Sequence, residues 1–162
     1  NEAFFLIDIG HDFSTILVGV KRELILVRSI DFAGKALMES LCGLSGEPRE
    51  QVIVALEQED EVMVEYTRVS INSLVREIAS SIGFFEHNNE HTISRIFVSG
   101  GPAKSKTFLK LMKEELGIPC EGWNAASMCE NAVSSQRQQQ LAQEAPDYNI
   151  ACGAAAEALT VR

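Results

Sequence analysis

The sequence lacks an excess of basic residues: 14 lysines and arginines stand against 23 acidic residues, for a net charge of −9. This balance argues against a protein that binds nucleic acid or an anionic membrane, because either ligand requires a basic face. It leaves room for a nucleotide site, where a few backbone N–H groups can hold a phosphate. The sequence also lacks an apolar run near the roughly 18 residues of a transmembrane helix, and no signal peptide precedes Phe4. We therefore predict a protein without a membrane span.

Closely spaced cysteines are absent as well. The four cysteines, Cys42, Cys120, Cys129 and Cys152, lie far apart and form no C-x-x-C pair, so we expect the reduced, mostly buried thiols of a cytosolic protein. The 162 residues, of which 46% are hydrophobic and 23% charged, fit one soluble globular domain with its own core. Because the first residue is Asn1 and a strand follows almost at once, we expect the chain to be part of a longer protein.

The first motif follows an apolar run at residues 3–9, which is typical of a buried strand. Asp8 and Gly10 stand at its end, and Ser14 and Thr15 precede the next apolar run. A glycine lets backbone N–H groups approach an anion, the hydroxyls can donate to phosphate oxygens, and the carboxylate can hold Mg²⁺ through water. The same residues also fit an ordinary hairpin whose polar side chains face water. Both interpretations stay open at this point.

Three strands open the predicted fold. The first run is followed closely by apolar runs at 15–20 and 23–28. Strands joined by such short connections must run antiparallel, because a parallel pair needs a long crossover. A helix over about 33–42 is expected next, with Asp31 as its N-cap and Gly43 as its stop.

Two further helices are predicted at 47–59 and 61–85, where apolar residues recur near helical spacing. His87 and His91 then flank a polar loop. Their H-x-x-x-H spacing suits a metal only on a helix face, and Asn88-Asn89 between them predicts a turn. We therefore expect no metal site at these histidines.

The glycine pair Gly100-Gly101 follows a short strand predicted at 93–98. A helix over about 104–116 and a last strand at 118–121 are expected after it. Two adjacent glycines before a helix permit close approach by a flat or anionic ligand, and the helix N-terminus adds its own N–H groups. The glycines equally suit a tight strand-to-helix turn that binds nothing.

The pattern defines the C-terminal part of the chain less well. The region 122–146 is polar and rich in glutamine, and it fits either a surface helix or a loop. Asp147 or Asn149 is suited to cap a final helix that ends near Leu159.

Taken together, these elements predict an α/β domain with a mixed five-stranded sheet: three antiparallel strands, then two strands that alternate with helices. The helices at about 45–90 form an insertion after the first helix. This order is that of ribonuclease H-like domains, and one such domain accounts for residues 1–162. Because proteins of very different chemistry share this fold, the fold alone does not fix the function.

One of these chemistries is that of a nuclease with two metal ions, which requires several converging carboxylates. Asp8, Glu39 and Glu157 are the candidates. The fourth strand, however, leads into Ser99 and two glycines instead of an acid, and the net charge of −9 disfavours a nucleic-acid substrate. The sequence therefore favours a nucleotide-binding fold over a nuclease.

Several segments carry a family resemblance. Asp8-Ile9-Gly10 with Ser14-Thr15 resembles the second phosphate loop of actin-like ATPases, and Phe97-Val98-Ser99-Gly100-Gly101 with the later Leu116-Gly117-Ile118-Pro119 resembles their adenosine loop and the strand after it. The small-residue run Ile150-Ala151-Cys152-Gly153-Ala154-Ala155 looks like their closing helix. Two other features are closest to the PilM family of type IV pilus assembly proteins: Leu26-Val27-Arg28-Ser29-Ile30 followed by Gly34 and Leu44-Ser45, and Ile82-Gly83-Phe84-Phe85 leading into Ile96.

The resemblance covers nearly the whole chain, as the second half of such a protein. It implies two actin-like domains that face each other across a cleft for ATP and Mg²⁺. It also implies a PilN-type inner-membrane protein as partner, bound through a short cytoplasmic peptide. Carried over by position, Asp8 would lie near Mg²⁺, Gly10, Ser14 and Thr15 near the phosphates, and Gly100 and Gly101 near the nucleoside.

We therefore predict a cytoplasmic scaffold of the type IV pilus, or type II secretion, platform, located at the inner face of the cytoplasmic membrane. His11-Asp12-Phe13 puts an anion and a ring where the relatives have small residues, which favours this scaffold over an active actin-like ATPase; a ribonuclease H-like nuclease comes third. A homo-oligomer is compatible with this prediction, whereas a nucleic-acid partner is not expected. The sequence leaves ATP hydrolysis open, and no tightly bound cofactor is expected in half a cleft.

Overall fold

The computed structural model describes residues 3–21, 23–128 and 135–160. Their sheet has the strand order β3-β2-β1-β4-β5, with β1 antiparallel to β2, β2 antiparallel to β3, and β4 parallel to both β1 and β5. This arrangement confirms the predicted mixed sheet of five strands. The strands are β1 Ala3–Ile9, β2 Ser14–Val20, β3 Glu23–Ile30, β4 Ile96–Gly100 and β5 Cys120–Gly122.

Five α-helices and two 3₁₀ turns complete the described part of the chain, and three of the helices separate β3 from β4. Helices α2 and α3 form the insertion expected from the sequence. The helices are α1 Gly34–Ser45, α2 Arg49–Glu57, α3 Glu61–Asn88, α4 Lys106–Leu116 and α5 Ser135–Thr160, and the 3₁₀ turns are Gly101–Lys104 and Ala125–Met128.

The ends of α1 differ from the prediction. Asp31 is not the N-cap; Ala33 holds that position and makes no side-chain cap. The helix continues through Gly43 and stops at Gly46, whose φ of 73° is left-handed and whose N–H donates to the Cys42 carbonyl. A glycine inside a helix is tolerated at a modest cost, whereas a left-handed C-terminal residue ends it.

The C-terminal end of α3 also lies beyond the predicted one, so that His87 belongs to its last turn instead of a loop. The side chains of Asn88 and Asn89 donate to the carbonyls of Phe84 and Phe85, each four residues earlier. The asparagines thus satisfy carbonyl groups at the helix end instead of forming the predicted turn at that point. Among the described residues, no group of three or more metal-binding side chains occurs.

Helix α5 begins well before the predicted caps. It starts at Ser135 and runs through Pro146, so Asp147 and Asn149 lie inside it. Asn149 uses its whole amide: its nitrogen donates to Ser99 Oγ and the Trp123 carbonyl, and its oxygen accepts from the Ala125 N–H. The contacts to β4 and to the segment after β5 hold the helix in place. Cys129 lies outside the described residues.

The core lies between one face of the sheet and the helices α1, α3 and α4. Alternate residues of β1 and β2 point into it, as a period of two requires. Every third or fourth residue of α3 does the same. The largest fully buried members are Phe5, Ile7, Ile9, Ile16 and Ile96 of the sheet, Leu41 of α1, Ile71, Leu74, Ile78 and Phe85 of α3, and Phe108 and Leu111 of α4.

A surface ion-pair group links α3 to α4. Arg68 donates to Glu114 over 3.0 Å and also to Glu115, and these two hydrogen bonds raise the pKa of its guanidinium. The contact joins α3 to α4 at the surface. None of the helices in the described ranges combines the length and the apolar character that crossing a bilayer requires.

The thiol of Cys120, at the start of β5, provides a test of this packing. Burial raises the pKa of this thiol to about 11, against a smaller opposite effect of Lys113. At pH 9 its thiolate fraction is therefore about one hundredth. We expect alkylation of Cys120 by iodoacetamide, followed by mass spectrometry of the peptide, to rise with pH up to about 11 in the folded chain. A profile that coincides with that of the urea-unfolded chain would contradict the burial.

Candidate functional site

The two glycine corners meet at one end of the sheet. Ile9 of β1 is the register partner of Gly100 of β4, so the connections that leave these two parallel strands start side by side. The Gly10 N–H donates to the Phe13 carbonyl over 3.1 Å, and the Gly10 carbonyl accepts from the Gly34 N–H over 2.9 Å. The hairpin turn is thereby closed on itself and fixed against the start of α1.

The two glycines of β4 and the following turn have different roles. Gly100 has a φ of 88°, and a Cβ there would lie 2.1 Å from the Ile9 carbonyl oxygen. Both the backbone conformation and the parallel neighbour therefore require glycine. A Cβ on Gly101 would meet nothing within 4 Å. Gly101 thus leaves open space at the place where a ligand can approach.

A cleft of about 690 Å³ opens between these corners, α1 and α2. Gly10, His11 and Gly34 form one wall, and Gly101 and Pro102 form another. Apolar side chains, among them Leu37, Met38, Leu41, Ile53, Leu56 and Phe108, line its floor. The volume suits a ligand of nucleotide size, and apolar walls with a few polar groups are the usual character of such sites.

The charge around the cleft is opposite to that of the whole chain. Four basic residues line it, Lys35, Arg49, Lys104 and Lys106, against the acidic Glu57 and Asp147. Lys104 forms an ion pair with Asp147 at the rim. In a protein with a net charge of −9, a local surplus of basic groups favours an anionic ligand in the cleft.

The structure divides the predicted site residues into two groups. Gly10 and Gly101 line the cleft, and Gly100 adjoins it as the last residue of β4. Ser14 is fully buried, and its hydroxyl donates to the Phe32 carbonyl over 2.6 Å.

The other two predicted residues, Asp8 and Thr15, are register partners in β1 and β2 and line a separate depression of about 310 Å³. Asp8 alternates with the core residues Ile7 and Ile9, so its side chain points to the face of the sheet away from the core. Neither residue lines the cleft. The magnesium role of Asp8 and the phosphate roles of Ser14 and Thr15 stay predictions.

The acids considered for a nuclease do not gather either. Glu39 is exposed on α1, Glu157 lies on the exposed part of α5, and Asp8 lies in the depression. The described residues form no acidic cluster of the kind that two metal ions require. Nothing in this geometry favours the nuclease.

Four basic residues of the cleft were absent from the sequence-based site: Lys35, Arg49, Lys104 and Lys106. Lys35 follows Gly34 at the start of α1, and its N–H donates to the His11 carbonyl. Its position two residues after the predicted helix start was the only available signal. Arg49 comes from the inserted α2, whose placement beside the cleft depends on tertiary packing.

The strand order and the two facing glycine corners are those of an actin-like domain, as the likeness to solved structures also shows. The chain belongs to a particular family of this class, the type IV pilus assembly protein PilM, whose family model matches residues 1–159. No curated protein matches the sequence.

Three solved structures illustrate the likeness. A PilM-PilN type IV pilus biogenesis complex has a TM-score of 0.74 and 20% identity over 94% of this chain. The ethanolamine utilization protein EutJ from Carboxydothermus hydrogenoformans has a TM-score of 0.61 and 21% identity over 75% of this chain. The activator of the 2-hydroxyisocaproyl-CoA dehydratase from Clostridium difficile, with bound ADPNP, has a TM-score of 0.51 and 14% identity over 98% of this chain. Since this chain covers 44%, 44% and 63% of those chains, it spans less than two thirds of each.

The contrast between the two glycines gives a test of the corner geometry. Gly100→Ala places a methyl group against the Ile9 carbonyl at a left-handed φ, so we expect a loss of unfolding free energy of about 2 kcal/mol or more. Gly101→Ala, the matched control, meets open space and should change it by less than about 1 kcal/mol. Urea denaturation measures both values, and equal losses would refute the arrangement.

Proposed function

We propose that this chain is the C-terminal half of a two-domain, PilM-like scaffold that binds the cytoplasmic peptide of a PilN-type membrane protein. The scaffold works on the cytoplasmic side, at the inner face of the membrane, in the assembly platform of a pilus or of type II secretion. The observation that carries this proposal is the family match over residues 1–159. The likeness to a PilM-PilN complex over 94% of the chain supports the choice of partner.

The two-domain part of the proposal is supported by the cleft. Gly10, Lys35 and Gly101 line an open cleft, and this chain covers 44% of the PilM chain that it resembles. A second domain would close the space. The encoded sequence before Asn1 is a direct check, because we expect it to contain another D-x-G turn of a first domain.

The partner is tested with the full-length protein and a synthetic peptide of the cytoplasmic N-terminus of the PilN-type protein from the same genome. We expect saturable binding in isothermal titration calorimetry, since ordering a peptide on a protein surface through hydrogen bonds usually releases heat. A scrambled peptide of identical composition is the control and should give no heat. Equal binding of both peptides, or of neither, would end the proposed interaction.

Nucleotide binding is the second candidate function, and the basic character of the cleft favours it. ATP fits the residues present: Gly101 leaves room for close approach, and Lys35, Arg49 and Lys104 offer positive charge to the phosphates. Both backbone groups of Gly10 are already hydrogen-bonded within the protein. The side chains, therefore, and not the Gly10 amide, would carry phosphate recognition. When bound, ATP would supply a phosphoanhydride bond, and Mg²⁺ the neutralising charge that phosphates need.

The role of the basic residues is tested by Lys35→Ala in the full-length protein. We expect the dissociation constant for Mg-ATP to rise about tenfold, because one charge-assisted contact contributes about 1.5 kcal/mol. Lys21→Ala, an exposed lysine of the β2–β3 turn that does not line the cleft, is the matched control and should leave the constant unchanged. Calorimetry up to millimolar ATP without any heat would reject nucleotide binding.

The 162-residue chain alone should bind ATP weakly or not at all, because half of the cleft is missing. A micromolar dissociation constant for this chain would contradict the two-domain cleft while leaving nucleotide binding itself intact.

A further inference from the structure

The face of the sheet opposite the core carries an apolar row. Val27, Leu17, Leu6 and Phe97 are consecutive register partners on β3, β2, β1 and β4. Leu6 stands between Phe5 and Ile7, which are fully buried in the core, so the row points the other way. Val27 remains 60% exposed. Such a row across four strands is unusual on a solvated face, because the residues that point to solvent there are normally polar.

A second apolar group extends the row along β1–β3. Phe4 lies over Gly19, where a Cβ would come within 2.4 Å of its ring, and Leu24, the register partner of Gly19, is 57% exposed. We call the residues Phe4, Leu6, Leu17, Leu24 and Val27 the outer face. It covers the width of three strands, and at about 4.8 Å per strand this is about 10 Å, the diameter of one helix.

The part of α5 whose side chains the structure describes, residues 144–159, leaves Leu24 and Val27 of the outer face exposed. Ile150 reaches the 310 Å³ depression together with Leu6 and Leu17, yet it is itself 72% exposed. Beyond it, α5 is exposed at almost every residue up to Leu159. Leu24 and Val27 themselves stay 57% and 60% exposed.

A carboxylate adjoins the apolar row. Asp8 shares the depression with the hydroxyls of Thr15 and Ser99, while Leu6, Leu17, Trp123 and Ile150 form apolar walls. Among the residues that the structure describes, none that lines this depression is basic. The Asn149 nitrogen already donates to Ser99 and the Trp123 carbonyl. A long side chain with an apolar stem and a cationic end matches this combination, because such side chains lay their methylenes on apolar surface and present the charge at the tip.

We propose that the outer face is the docking surface for an amphipathic helix of a partner polypeptide, whose arginine or lysine reaches Asp8. Faces of sheets are covered by helices or by other sheets, and the width available fits one helix. Charge complementarity selects a basic partner. A second copy of the chain is disfavoured, since each copy carries a net charge of −9 and a carboxylate in the same place.

The proposal is tested with a synthetic probe: an amphipathic helical peptide of about 16 residues with a leucine face and a single arginine at its edge. Fluorescence anisotropy measures its affinity for the folded chain. Leu17→Ser and Val27→Ser should each weaken binding about tenfold. Val69→Ser changes an equally exposed valine of α3, 65% accessible, and should leave the affinity within twofold. Equal losses in all three variants, or no saturable binding, would overturn the proposal.

The cationic contact is tested by a double-mutant cycle. Asp8→Asn should lower the affinity for the arginine peptide about fivefold. It should leave unchanged the affinity for a peptide in which glutamine replaces the arginine. Asp31→Asn, an exposed acid elsewhere on the chain, is the matched control and should affect neither peptide. Equal effects of Asp8→Asn on both peptides would remove Asp8 from the docking surface.

Three further measurements decide between occupants. A concentration-dependent dimer in analytical ultracentrifugation that Val27→Ser abolishes would replace the partner by a second copy. Binding to this chain but not to the full-length protein would assign the surface to the remainder of the longer polypeptide. If Asp8→Asn weakens the binding of Mg-ATP and not that of the arginine peptide, Asp8 serves the nucleotide cleft and not the outer face. Each of these results overturns the proposal, and their absence together with the expected losses supports it.

Discussion

The close approach of β4 to β1 is the constraint on which the site depends. At their common end, the Gly100 backbone lies so near the Ile9 carbonyl that no side chain fits between them. This contact brings together two connections that are about 90 residues apart in the sequence. Both connections lie near the start of α1, where the Gly34 N–H donates to the Gly10 carbonyl. The cleft is the space that these three segments leave.

Charge in the cleft is assembled from separate elements. Lys35 comes from α1, Arg49 from α2 and Lys104 from the 3₁₀ turn after β4. The acids that line the cleft are fewer than the basic residues: they are Glu57 and the Asp147 that pairs with Lys104. An exposed ion pair of this kind contributes little to stability. Its significance lies in the electrostatic field that a ligand meets.

Two adjacent residues serve opposite sides of the sheet. Asp8 points away from the core into the depression beside the outer face, whereas Ile9 lines the cleft. A strand alternates its side chains at every residue, so a motif read as one unit along the sequence can be divided between two surfaces. The fold thereby gives this chain a cleft on one side and an apolar surface on the other, with β1 common to both.

The sequence by itself determined the order of the main elements and the mixed sheet, because apolar periodicity, glycines and short connections act locally. The actin-like class followed from the resemblance of particular segments, such as Asp8-Ile9-Gly10, to those of known relatives. The sequence also identified Gly10 and Gly100 as corners. The register that joins Ile9 to Gly100, the continuation of α5 through Pro146 and the separation of Asp8 from the cleft were decided by tertiary structure. These features depend on contacts between segments distant along the chain, such as Asn149 with Ser99, and local propensity carries no information about such contacts.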